Sequence, residues 1–303
     1  MPFLWFPLAL LTWQSPEPAV LRTETRIVQI NVSVKDKNDD PILGLQADDF
    51  IVFDNGQPRR VQLLSSDVSS APKPEGPASR LTVLVLDGLN TEFMDQNFVR
   101  DQARKAVKHM DLNEVFAVLA LNPDLKFQNF TRRRDLLLKA VEAFRPIDPP
   151  YAMRQRVQVT LQALKTLADN MSGAPGIKSI VWITGGFPQI HSFNAAIRRS
   201  LDRINEANVA LYPIDARGLM LNTGLLNDRT MDQFADATGG EAFYNRNDVS
   251  ALIERAANAS RSAYLLGFYL TDNDRDHSPH RLEVKVNRPH AELHYRRSYS
   301  IPR

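Results

Sequence analysis

Residues 81 to 86 read Leu81-Thr-Val-Leu-Val-Leu86, and this nearly unbroken apolar run decides the fold class. A strand that is apolar on both faces is typical of the centre of a parallel sheet, because helices cover both faces of such a sheet. Further apolar runs follow at residues 115–121, 180–183 and 209–214. The sequence therefore predicts an α/β unit with a doubly wound, mostly parallel sheet flanked by helices.

The segments between these runs have the apolar spacing of amphipathic helices. Strands that alternate with helices indicate one α/β domain, and the pattern extends over residues 80–260. Helices are predicted at residues 94–110, 136–141, 157–171, 195–204, 231–237 and 249–257, and short strands at residues 125–130 and 242–244.

The N-terminal segment, residues 22–64, has a different pattern, in which apolar and polar residues alternate as they do in half-buried strands. One strand is predicted at residues 27–34. A hairpin is predicted from residues 50–53 and 61–64, which flank an Asn-Gly turn at Asn55. This end of the chain is therefore expected to be all-β.

The C-terminal segment, residues 262–303, repeats this β pattern, with strands predicted at residues 263–270, 280–286 and 291–295. Neither terminal segment has enough strands to be stable alone. We therefore expect the two segments to pair with each other as a β-sandwich-like region. Residues 65–79 contain three prolines and five serines and are predicted to be a linker.

Composition excludes several classes of function. The 37 basic and 35 acidic residues are too nearly balanced to favour a nucleic acid or an anionic membrane as the partner. The chain has no cysteine, so thiol catalysis, disulfides and thiolate metal sites are excluded. Neither a nucleophile elbow of the Gly-x-Ser-x-Gly type nor a glycine-rich phosphate loop is present, and no small-molecule substrate or organic cofactor is indicated.

Residues 1–20 form an apolar leader. Its apolar part, from Met1 to Trp13, is shorter than the ~20 residues that a membrane-spanning helix needs, so no transmembrane span is expected in the mature chain. The outline is that of an export signal. We therefore expect a periplasmic or secreted protein. Alternatively, the leader associates with a membrane or packs on the folded domain.

The order of elements between residues 81 and 257 resembles that of the von Willebrand factor type A (VWA) fold. Several stretches also resemble the bacterial VWFA-related family described from Acidobacteria, in which an α/β domain lies between two β segments. These stretches are residues 44–56, 86–91, 176–188, 211–218, 264–268 and 284–288.

This resemblance implies a Mg²⁺ site of the metal-ion-dependent adhesion type. In such a site a D-x-S-x-S loop joins a distant Thr and Asp, and a carboxylate of the partner completes the ligand shell. Asp87 takes the first acidic position and Thr91 the last hydroxyl position, but Leu89 replaces the middle Ser and Gly185 the second Asp. The implied site is therefore degenerate and weak or lost. Further candidate oxygen ligands are Asn90, Glu92, Thr184 and Asp215.

The same residues also have structural interpretations. Asp87 could accept backbone N–H groups or cap the next helix, while Asn90 and Thr91 are ordinary residues at a helix N-terminus. Asp215 could pair with Arg217. The binding interpretation requires instead that Asp87 lies in an open cleft, where the loops at the carboxyl ends of the strands converge.

Three hypotheses for function remain. The first is an exported, non-enzymatic protein of the adhesion type that binds a protein partner at the carboxyl ends of its parallel strands. The second is a structural or assembly module that binds through the β segments at its two ends. The third is a hydrolase that uses Asp87 and Asp215 as a carboxylate pair, which depends on analogy of fold alone.

Acidic residues between Asp272 and Asp276, with Glu283, have the spacing of a calcium loop. His277 stands where such a loop needs Gly, so a solvated hairpin tip is the favoured interpretation. His277 and His280 form a His-x-x-His pair without a third ligand, which is a weak zinc signal.

Overall fold

The protein is described here by a computed structural model. It describes residues 27–66, 80–112, 114–148, 150–187, 193–217, 229–244, 247–271, 274 and 279–301. The predicted leader, residues 1–20, and most of the predicted linker lie outside the described residues.

The helices are α1 Phe93–His109, α2 Arg134–Glu142, α3 Met153–Met171, α4 Asn194–Glu206, α5 Arg229–Thr238 and α6 Val249–Arg261. The strands are β1 Ile27–Lys35, β2 Phe50–Asp54, β3 Gln57–Arg59, β4 Gln62–Ser66, β5 Arg80–Asp87, β6 Val115–Leu121, β7 Lys126–Thr131, β8 Ile177–Thr184, β9 Val209–Asp215, β10 Tyr264–Tyr269, β11 His280–Val286, β12 Glu292–His294 and β13 Ser298–Tyr299.

The central sheet has five strands in the order β7-β6-β5-β8-β9. Strands β6, β5, β8 and β9 are parallel, and only the edge strand β7 is antiparallel to its neighbour. Every residue of the four parallel strands is buried, as their apolar runs predict. These findings confirm a mixed α/β fold with a sheet that contains parallel strands.

Helices cover both faces of this sheet. One apolar cluster joins the sheet to α3, α4 and α5, and a second cluster joins the opposite face to α1, α2 and α6. Because alternate residues of a strand point to opposite faces, each parallel strand contributes to both clusters. The predicted strand at residues 242–244 is present as one parallel bridge between Ile214 and Phe243, so its position is confirmed but it is shorter than predicted.

The two ends of the chain form two further sheets, each of four strands, with the orders β12-β1-β10-β4 and β13-β11-β2-β3. Strand β1 pairs antiparallel with β10, and β2 pairs antiparallel with β11, so both sheets contain strands from both chain ends. One apolar cluster contains residues from both sheets.

The predicted hairpin is only half correct. Strand β2 turns at Asn55 and Gly56, which have positive φ angles of 49° and 79°, and pairs with the short strand β3. The next strand, β4, leaves this hairpin and pairs with β10 in the other sheet. The Asn-Gly pair predicted the hairpin turn. A local pair of residues does not indicate which distant strand β4 will join.

Buried polar groups connect the terminal sheets to the α/β layers. The guanidinium of Arg296 donates to the backbone carbonyls of Gln29 and Asn205, and burial lowers the pKa of Arg296 to about 10. Asn31 also donates to the carbonyl of Asn208 at 3.1 Å. Nowhere in the described ranges is there a helix with the length and apolar character needed to cross a membrane.

Candidate functional site

The candidate site lies where the strand order of the central sheet reverses. The chain passes from β5 outward to β6 and β7, and then returns to the other side of β5 as β8. In open α/β sheets this reversal leaves a crevice beyond the carboxyl ends of the two strands. Here those ends are Asp87 and Thr184, at the position that the sequence predicted for the site.

Asp87 is enclosed by hydrogen-bond donors. Its Oδ1 accepts the backbone N–H groups of Leu89 at 3.0 Å and Asn90 at 3.1 Å. Its Oδ2 accepts the Asn90 side-chain amide at 2.8 Å, the Trp182 indole N–H at 2.9 Å and the Thr184 hydroxyl at 3.0 Å. Asp87 is 0% exposed, so the expectation that its carboxylate lies in an open cleft is wrong.

The environment acts on the charge of Asp87 in two opposing ways. Burial raises the pKa of its carboxyl above the ordinary value, because a charged group loses hydration inside the protein. The hydrogen bonds from Asn90, Trp182 and Thr184 oppose this rise. All five contacts are made by donors, so they stabilise the ionised form of the carboxylate.

Thr91, the second predicted ligand, contacts a different partner. Its Oγ1 accepts the backbone N–H of Gly185 at 2.9 Å. This contact brings the loops after β5 and β8 close together. A Cβ added to Gly185 would lie 2.8 Å from the carbonyl oxygen of Asn90 and 2.9 Å from the Cα of Thr91. The missing second Asp therefore has a structural reason, since any side chain at position 185 collides with the backbone.

Two neighbours complete the loop after β5. Leu89 is fully buried in the apolar cluster on the α3 side of the sheet, so it supplies packing where a Ser would supply an oxygen. Asn90 also donates to the hydroxyl of Thr160, in the middle of α3, at 2.8 Å. The loop is thus tied to helix α3 as well as to the sheet.

The remaining candidates have other roles. Asp215 binds Arg217 through both carboxylate oxygens, at 2.9 Å and 2.5 Å, as its structural interpretation predicted. Glu92 is exposed and precedes the first turn of α1, where its side chain makes no capping hydrogen bond. The structure therefore brings Asp87, Asn90 and Thr184 together, whereas Glu92 and Asp215 stay outside this contact.

These residues do not fit a Mg²⁺ ion. Magnesium needs near-octahedral oxygen ligands, whereas the carboxylate of Asp87 faces two backbone N–H groups, an amide, an indole and a hydroxyl. Within the part of the chain that the structure describes, no three His, Asp or Glu side chains cluster in a way that could hold a metal.

The residues Trp182 and Thr160 were missed as members of the site. Trp182 lies in a buried apolar strand and Thr160 within an amphipathic helix, so both patterns indicate core. One signal was available for Trp182, because a buried indole N–H usually needs an acceptor. Trp182 and Thr184 are two residues apart on one strand and point to the same face, which places the indole beside the strand end.

The predicted solvated tip near Asp274 is wrong for the residues that can be described. Asp274 is buried, pairs with Arg59 and accepts the N–H and hydroxyl of Thr271. His280 is buried too, with its Nδ1 2.8 Å from Asp54 and its Nε2 2.9 Å from the carbonyl of Asp274. Asp272, Asp276 and His277 lie outside the described residues.

Comparison with known proteins gives little beyond this. No protein-family model matches the chain, and no curated protein matches it. Among 89 matching chains of solved structures is the crystal structure of the TFIIH p34 N-terminal domain. It is 10% identical with a TM-score of 0.35, over 59% of this chain and 96% of that chain. A likeness at this level carries no weight, so the fold assignment depends on strand order and pairing.

Proposed function

We propose that this protein is a non-enzymatic, VWA-like binding protein that recognises a protein partner at the carboxyl end of its central sheet. Because Asp87 is sealed from solvent, binding through its carboxylate is ruled out, and the proposal depends instead on exposed apolar side chains at the same end. Five of the eleven large apolar side chains exposed in the described residues lie in the first turns of α1 and α3 and in the loop before α3, and we call these five the apical patch. The apical patch consists of Phe93, Met94, Phe98, Ile147 and Met153.

The elements that carry the apical patch are held together. Phe93, Met94 and Phe98 lie in the first two turns of α1. The side chain of Gln96 exchanges two hydrogen bonds, each of 3.0 Å, with the backbone N–H and carbonyl of Ile147. These contacts fix the loop before α3 against the start of α1, so the apical patch is a preformed surface.

Helix α3 is fixed at the same end. Met153 is its first residue, and Arg156 in its first turn donates to the carbonyl of Leu89 at 3.1 Å. Met94 is 84% exposed and Phe93 is 53% exposed, which is unusual for large apolar side chains in a fixed arrangement. Several exposed apolar side chains on elements that are fixed together favour a site of interaction with another protein.

The apolar side chains of the apical patch indicate the kind of partner. An exposed Phe or Met loses contact with water when another apolar side chain covers it. We therefore propose a protein partner that presents apolar side chains to the apical patch.

The terminal sheets, in this proposal, act as a sandwich-like brace that supports the α/β domain. Their strands come from both chain ends, so the brace needs both terminal segments. Export to the periplasm or beyond is proposed from the apolar leader, residues 1–20, alone.

Site-specific crosslinking tests this function. A photo-crosslinking amino acid is placed at Met94, and as a matched control at Ile51, which is 48% exposed on β2 of the terminal sheets. In the cells that make the protein, we expect Met94 to crosslink one defined protein and Ile51 to give none. Crosslinks from Ile51 alone would support the assembly module and contradict an apical binding surface.

A further inference from the structure

We propose that the donors around Asp87 take the place of a divalent cation, so that the loops of this site are held in position without metal. A cation in a VWA-like site links loops by binding their oxygens. In this chain the same linkage is made by N–H and O–H groups that point at one carboxylate.

The carboxylate has no capacity left for a metal. Its two oxygens offer about four lone-pair positions in total. Four N–H donors point at them at distances from 2.8 to 3.1 Å. The hydroxyl of Thr184, whose single proton also faces the carbonyl of Gly186, is a fifth at 3.0 Å. A cation could bind Asp87 only after several of these donors had moved away.

The donors are fixed by their own packing. The ring of Trp182 makes edge contacts with Phe187 at 5.4 Å and Phe234 at 5.6 Å between centroids, so the indole cannot turn away without breaking this aromatic cluster. The amide of Asn90 is held from its other side by Thr160. Displacing either donor would therefore disturb the core beneath the site.

The closeness of the two loops also excludes new ligands. The backbone around Asn90 and Thr91 leaves no space for a side chain at Gly185, where a second acidic ligand would stand. Leu89 fills the space of the middle ligand with apolar atoms. Both departures from the family pattern thus serve the same closed arrangement.

The network around Asp87 also fixes the position of the apical patch. Because Asp87 connects the end of β8 with the loop that leads into α1, the network holds the α1 start in place at any metal concentration. Chelators should then leave partner binding unchanged, an expectation that rests on the proposed function. The network itself can be tested on the purified chain without a partner, so the two ideas can fail separately.

The first test is thermal unfolding of the purified full chain in EDTA and in millimolar Mg²⁺ or Mn²⁺. We expect the same Tm in all three conditions. A rise in Tm with metal that Asp87→Asn abolishes would overturn the proposal, provided that the exposed control Asp101→Asn keeps the rise. A rise that persists in Asp87→Asn comes from another part of the chain and supports it.

A second test needs no variant at the site, in case Asp87→Asn fails to fold. In the NMR spectrum of the wild-type chain, Mn²⁺ bound at Asp87 would broaden the indole N–H signal of Trp182 beyond detection. We expect this signal to persist in millimolar Mn²⁺. Its selective loss, reversed by EDTA, would contradict the proposal.

Discussion

Two buried carboxylates, Asp87 in the central sheet and Asp54 in the terminal sheets, are both fully engaged, but by different kinds of donor. Asp87 accepts only neutral groups. Asp54 contacts the guanidinium of Arg59 at 3.0 Å, the hydroxyl of Tyr299 at 3.0 Å and Nδ1 of His280 at 2.8 Å. The negative charge is thus met by neutral dipoles alone in one region, whereas in the other its partners include the guanidinium of Arg59.

The His280 ring shows what this difference means. Its Nδ1 lies 2.8 Å from the carboxylate of Asp54 and its Nε2 lies 2.9 Å from the carbonyl of Asp274, so the ring links these two residues. Asp54 also raises the pKa of Tyr299, although burial is the largest cause. The cluster in the terminal sheets therefore includes the charged guanidinium of Arg59, whereas the carboxylate of Asp87 is met by neutral donors alone.

The largest expected loss of stability follows from a substitution at Asp54. Asp54→Ala removes the carboxylate that His280, Tyr299 and Arg59 share, and removing one partner of a buried ion pair costs about 3–5 kcal/mol. Arg59 keeps its second partner, Asp274, so we expect a loss near the lower end of this range. Urea denaturation at neutral pH would measure this loss in the free energy of unfolding. The exposed control Asp101→Ala should stay within about 0.5 kcal/mol of wild type.

The next largest loss of stability is expected for a substitution at Asp87. Asp87→Asn points an amide N–H₂ at donors such as the Trp182 indole, and buried donors left without an acceptor cost about 1–3 kcal/mol. The loss should therefore be smaller than that of Asp54→Ala in the same denaturation experiment. If Asp87→Asn were the more damaging variant, the distinction between a neutral and an ionic cluster would be wrong.

A third effect tests the closeness of the loops near Asp87. Gly185→Ala places a Cβ against the backbone of Asn90 and Thr91, and such overpacking costs about 1–3 kcal/mol. Gly173→Ala is the matched control, because nothing lies within 4 Å of the Cβ it would add. We expect a clear fall in Tm for Gly185→Ala alone. Equal Tm values would show that the loops can separate at little cost.

The sequence predicted the parallel strands well, because β5 and β8 are buried on both faces and their central residues are therefore mostly apolar. It also placed Asp87 at a strand end. It did not predict the burial of that carboxylate, since burial depends on Trp182 and Thr184, which come from a strand about 95 residues away. Long-range pairing of this kind, like that of β4 with β10, leaves no local pattern.

The smallest expected effect concerns a third buried charge, Lys178 at the start of β8. Burial, with a further contribution from the charge of Arg296, lowers its pKa to about 8. The unfolded chain then binds more protons than the folded one above this pH, so stability should rise with pH from about 8 to about 9.5, before unfolded tyrosines titrate. Lys178→Met should remove this rise in denaturation curves. An unchanged rise would assign it to another group.

The most direct test of the account is hydrogen exchange of the Trp182 indole N–H, followed by NMR and assigned with Trp182→Phe. The indole donates to Asp87 at 2.9 Å in a site with no solvent exposure. We predict exchange as slow as that of the backbone amides in the central sheet, and equally slow with Mg²⁺ or EDTA. Fast exchange, or exchange that changes with Mg²⁺, would contradict a carboxylate held by the protein's own donors.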